Sequence, residues 1–121
     1  MKTLTGMSGV IKSPFYPGNY GNNHRCSWKK ITANRGYRVK LVIQDMDIER
    51  GGRNCANDYI QIQNGFIYSN GSPPGRLCGT HTGNLMFASY RETLIVHFVT
   101  DGSSTRRGFK ATYTQAALSR K

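Results

Sequence analysis

A chain of 121 residues has the length of one domain, enough to bury a single core but not two. A hydrophobic content of 37%, with seven Tyr, five Phe and one Trp, excludes a disordered chain, and no apolar run approaches the roughly 20 residues of a membrane-spanning helix. The formal charge of +11, from seventeen Lys and Arg against six Asp and Glu, implies attraction to polyanions: heparan-type polysaccharide, anionic membrane or nucleic acid.

The opening "MKTLTGMSGV" lacks the apolar segment of a signal peptide, so Met1 reads as the start of a fragment or mature form. Downstream, the hydrophobic period is two rather than 3.6. Short candidate strands come first, "GVIKS" and "CSWKKIT". In "YRVKLVI", Tyr37, Val39, Leu41 and Ile43 share one face and Arg38 and Lys40 the other. "DYIQIQNG" alternates Ile60 and Ile62 with Gln61 and Gln63. "GRLCG" and "NLMFASY" are again short. "TLIVHFV" is apolar on both faces and reads as a central strand. "GFKATYT" turns Phe109, Ala111 and Tyr113 inward and Lys110 and Thr112 outward. Between them lie segments rich in Gly, Pro, Asn and Ser: "PFYPGNYGNN", "ANRG", "ERGGRN", "YSNGSPPG" and "TDGSSTRRG". Many short strands punctuated this way, with no amphipathic helix, predict an all-β sandwich or barrel. Trp28, Tyr37, Phe98 and Phe109 are expected in its core. The segment 115–121, "QAALSRK", is expected to be a tail or linker following a domain of residues 1–114.

Three cysteines, Cys26, Cys55 and Cys78, leave at least one without a partner in this chain. None is separated from another by the two to four residues of a zinc ribbon. The triplet Asn70-Gly71-Ser72 is an acceptor for N-linked glycan and fits a surface loop of a secreted protein.

The order of the pieces carries more information than any one of them. "GVIKSPFYPGNY", "CSW", "GYRVKLVIQDMDIE", "CANDYIQIQNG", "GRLCG" and "ETLIVHFVTDGSSTRRGFKATY" follow one another at spacings that resemble the CUB domain, an extracellular interaction module, from about residue 8 to 114. The resemblance implies an antiparallel two-sheet β-sandwich of jelly-roll type. It also implies a disulfide between Cys55 and Cys78, with a stabilisation of roughly 3 kcal/mol in the chain-entropy picture. The family's other disulfide would join Cys26 to a cysteine at or before residue 1, so Cys26 is expected to be a free thiol, in a module truncated at its N-terminus or in a member lacking that bond.

A subset of the family binds calcium, and all three acids of its motif stand in this sequence: Glu49 closing "DMDIE", Asp58 in "CANDY" and Asp101 in "VTDGSS". By resemblance, the Ser103 carbonyl adds a ligand and Tyr20 hydrogen-bonds the Glu. Calcium wants six to eight oxygens from carboxylates, carbonyls and water, and magnesium's tighter octahedron fits less well. In such members the calcium-linked carboxylates receive a Lys or Arg of an extracellular protein ligand, so Tyr20, Glu49, Asp58, Asp101 and Ser103 form the expected partner-binding set. A chain at +11 repels basic partners at long range, so that hook must act locally.

Arg106, Arg107 and Lys110 are the candidate polyanion-binding face for a heparan-type glycosaminoglycan. Nucleic acid is not expected, since no aromatic platform motif accompanies the basic residues. Nor is catalysis: His24 and His81 read as exposed loop residues, His97 as structural, and nothing near Cys26 suggests an activated thiol. The expected protein is secreted or extracellular and calcium-dependent, with binding of sulfated glycans or acidic surfaces as the alternative.

Overall fold

The computed structural model describes residues 2–4, 6–21, 23, 25–31, 36–49, 55–101 and 106–117. Ser103 and His24 lie outside them. Nine strands, β1 (Lys2–Leu4), β2 (Gly9–Lys12), β3 (Arg25–Ile31), β4 (Tyr37–Ile48), β5 (Tyr59–Gln63), β6 (Gly65–Ile67), β7 (Gly79–Ser89), β8 (Thr93–Val99) and β9 (Gly108–Ala117), form two sheets. One has the order β1-β3-β8-β5 and the other β2-β9-β4-β7-β6. No α-helix occurs among the described residues. The expected two-sheet sandwich is the observed one, and β8, apolar on both faces, is an interior strand of its sheet.

The core lies between the sheets, where alternate residues turn inward. Val39, Leu41, Ile43, Phe109, Ala111 and Tyr113 from the larger sheet meet Ile60, Ile62, Leu94, Val96 and Phe98 from the smaller, all buried. Aromatic rings run through it edge to face, Trp28 on Phe109 at 5.9 Å, Phe109 on Phe98 at 5.3 Å and Phe98 on Tyr20 at 5.2 Å. The last contact brings the core to one end of the sandwich. Tyr37, expected inside, is only half-buried.

Four features depart from the sequence reading. β4 continues five residues past Ile43, through a register shift between Ile43 and Asp45. Before the shift the odd residues are buried; after it Met46 and Ile48 are. A β-bulge has this effect, because one extra residue reverses which face each later side chain takes. β7 begins at Gly79, so His81 is a half-buried strand residue opposite Met46 rather than a loop residue. β1 pairs with β3 in parallel, the one parallel pair among the described strands. Finally, β9 runs to Ala117, which pairs with Tyr37, three residues beyond the boundary expected at 114.

Of the expected strand "GRLCG", Leu77 pairs by a bridge to Ile60 and Gly79 opens β7 opposite Ile48. The neighbouring Cys78 is disulfide-bonded to Cys55, which fastens the segment before β5 to the one before β7. Cys26 stands free on β3, half-buried, and burial pushes its thiol up.

Candidate metal centre

Three strand ends converge where the aromatic ladder stops. Glu49 follows β4 in one sheet, while Asp58 precedes β5 and Asp101 follows β8 in the other. β5 and β8 are antiparallel, with Tyr59 opposite Val99, so Asp58 and Asp101 arrive at the same end. One carboxylate oxygen of each of Glu49, Asp58 and Asp101 falls within a mutual distance of 4.8 Å. Asp58 is fully buried; Glu49 and Asp101 are half-buried.

Internal hydrogen bonds position the set. The Tyr20 hydroxyl donates to Asp58 Oδ2 at 2.6 Å and accepts from the Glu49 amide at 3.0 Å, and the Asp101 amide donates to Asp58 Oδ1 at 2.9 Å. Tyr20 was expected to hydrogen-bond the glutamate; it does so through the Glu49 backbone amide, and its hydroxyl also donates to the Asp58 carboxylate. It is also 1% exposed rather than at the rim, so it acts on a partner only through those neighbours. The chain around Tyr20 is fixed in turn: its amide donates to the Arg106 carbonyl at 2.9 Å, the Asn23 amide to the Asp101 carbonyl at 2.8 Å, and the Thr100 hydroxyl to the Gly21 carbonyl at 3.1 Å.

The electrostatics of this end are unfavourable without a cation. Burial, with Asp101 and Glu49 nearby, pushes the Asp58 carboxyl above its usual range, against the hydrogen bonds from Tyr20 and Asp101 that favour its charged form. Glu49 Oε1 is buried and has no hydrogen-bond partner among the described residues. A buried acceptor left unmatched is costly. A divalent cation would answer both features, and hard carboxylate oxygens are the donors calcium prefers. The residues present therefore fit calcium.

A polar cavity of about 400 Å³ opens beside Asp101, lined in part by Asn23, Arg25, Asn57, Tyr59 and Arg76. Arg76 stacks on the Tyr59 ring at 4.0 Å and donates to the Cys55 carbonyl at 3.4 Å.

The basic residues assigned to a polyanion face sit among carboxylates. Arg107 binds Asp45 through two nitrogens, at 2.7 and 2.9 Å, and reaches Asp47 at 3.5 Å; Arg106 meets Asp47 at 3.4 Å; Lys110 is the cross-strand partner of Asp45. Tyr16 also donates to Asp45. The sequence reading missed Asp45 and Asp47 because strict alternation from Ile43 would turn both inward. The bulge puts them on the outer face, facing β9. Asn70 lies exposed in the turn after β6, its side-chain oxygen accepting from the Ser72 amide at 2.9 Å.

The profile of the CUB domain matches residues 1–113. The chain belongs to the CUB domain family. It is 38% identical over 114 residues to procollagen C-endopeptidase enhancer 2 of Mus musculus, covering 94% of this chain and 26% of that protein. It is 37% identical to tolloid-like protein 1 of Homo sapiens, covering 88% and 10% respectively. Among solved structures, the MASP-1 CUB2 domain bound to Ca2+ superimposes with a TM-score of 0.77 at 26% identity, over 93% of this chain and 96% of that one. The full extracellular region of zebrafish Gpr126/Adgrg6 contains a region that superimposes at 0.82 and 27% identity, over 96% of this chain and 14% of that one. This CUB domain thus spans about a quarter or less of these curated relatives. Its family is one of interaction modules within larger secreted or extracellular proteins, and no helix among the described residues is long and apolar enough to cross a membrane.

Proposed function

We propose that this CUB domain is a calcium-dependent protein-interaction module. The observation that carries the reading is the buried Glu49 Oε1, unmatched among the described residues, beside Asp58 and Asp101. Glu49, Asp58 and Asp101 would hold the ion, with the Ser103 carbonyl as a further ligand by family pattern. Calcium supplies two positive charges to a site of three carboxylates and fixes the chain ends that carry them. Asp58 is fully buried, so the carboxylates that accept a partner's Lys or Arg are those of Glu49 and Asp101, which keep part of their surface. Such a bond is charge-assisted and weakens with salt. The calcium bound to the MASP-1 CUB2 domain supports this reading.

The test is calcium titration of chelated protein, followed by calorimetry and thermal melting. Binding and a rise in Tm are expected, with both lost in Glu49→Gln and in Asp101→Ala. No heat and no Tm change at millimolar calcium would overturn the reading. The alternative, sulfated glycan bound by Arg106, Arg107 and Lys110 without calcium, has less support, because Asp45 and Asp47 already take up the charge of both arginines.

A further inference from the structure

The outer face of the larger sheet differs in character at the end away from Glu49. Register sets Lys40 opposite Ala88, and Ala88 opposite Phe66. Val42 lies opposite Met86, whose carbonyl accepts from the Tyr68 amide at 3.0 Å. Arg38, two residues before Lys40, shares the face. The Arg38 guanidinium stands 5.5 Å from the centre of the Phe66 ring, and the Lys40 ammonium 5.6 Å from that of Tyr68. Phe66 packs in turn on Tyr90 at 5.1 Å. The Tyr68 and Tyr90 residues are 54% and 52% exposed.

These cations are held in a different way from Arg106 and Arg107. Every ion pair found among the described residues is made by Asp45 or Asp47 with those two arginines. Arg38 and Lys40 lie over aromatic faces, which orient a cation without cancelling its charge. We propose that this face, built from Arg38, Lys40, Phe66, Tyr68 and Tyr90, binds sulfated glycan independently of calcium. Sulfates pair with the two cations, which alternate along one strand about 7 Å apart. The open tyrosine rings receive the apolar C–H faces of the sugar, leaving each phenolic oxygen in water. An acidic peptide would use the cations and leave those rings idle. A charge of +11 draws the polymer in, and the stacked array gives it a place to settle.

The experiment is affinity for a heparin oligosaccharide, measured by calorimetry in chelator at physiological salt, with heparin-column elution alongside. Arg38→Gln/Lys40→Gln is expected to weaken binding about tenfold, the scale of two lost charge-assisted contacts. Lys2→Gln/Lys29→Gln removes the same two charges from the other sheet and is expected to weaken it less than about twofold. Tyr68→Ala/Tyr90→Ala keeps the charge and is expected to weaken binding at least about threefold. Melting curves establish that each variant is folded, and Tyr68→Ser serves if the double variant is not. Equal losses in the two charge-removed variants would overturn the proposal in favour of diffuse attraction. A tyrosine variant that binds like the parent would overturn it in favour of an acidic-surface contact. Calcium binding is measured separately on the same samples, so this result does not depend on the metal centre.

Discussion

Tyr20 shows how much one side chain can organise. Its ring packs on Phe98, while its hydroxyl joins an aspartate side chain to a glutamate backbone across the gap between the sheets. Burial, with Asp58 beside it, pushes the phenol well up, so it remains a donor throughout the neutral range. Tyr20→Phe keeps the ring and removes the link; a stability loss of about 1–2 kcal/mol is expected in urea unfolding, with weaker calcium binding. That Tyr20 serves this end was legible by family resemblance, but its true acceptor depends on where two sheets meet and was not. Asp45 is a second case. The Arg107 guanidinium holds its carboxyl below the usual range, so the folded state binds that proton less tightly than the unfolded chain. The stabilisation is therefore full above the unfolded value, near 4, and is lost as pH falls through the lower folded value. Asp45→Asn should cost no more than about 1 kcal/mol at pH 6, since both partners are partly exposed. Melts taken down to pH 2.5 should show the gap from the parent protein closing.

At the scale of elements, strands of plain alternation were readable: β5, β9 and the first half of β4 fall where the period of two puts them. What escaped was every feature set by a neighbour rather than by the strand itself. The bulge in β4 marks "VIQDMDI" only by the adjacent polar pair Gln44-Asp45, where the alternation changes phase, a break that equally fits the end of a strand. β1 and β6, three residues each, are too short for any period to show. Gly108 opens β9 at a φ of 92°, and a Cβ there would fall 1.9 Å from Ser13 Oγ, the acceptor of the Phe109 amide. Gly108→Ala meets both obstacles. It should destabilise by about 2 kcal/mol or more in urea, because the strained backbone and the clash add. The Cys55–Cys78 bond spans 23 residues and fastens a segment that offers only one bridge of its own. Its reduction is expected to cost about 3 kcal/mol, read as a fall in Tm in the presence of reductant.

Over the whole molecule, the excess of positive charge is sorted rather than uniform. Five of the six acids are Asp45, Asp47, Glu49, Asp58 and Asp101, gathered on β4's last turns of chain and the strand ends beside them. The far half of the same sheet carries cations stacked on rings. Sequence alone exposed the imbalance and, through the family motif, three of those acids; the sorting needed the register of β4 against β7 and β9. One strand therefore connects the two regions. Arg38 and Glu49 are eleven positions apart on or just beyond β4, a span of about 35 Å in extended chain. A polysaccharide at one tip and a basic side chain at the other would not collide. A matrix polymer could then tether the domain near a protein partner and raise the local concentration each meets, a gain in avidity that requires no new contact between the two ligands.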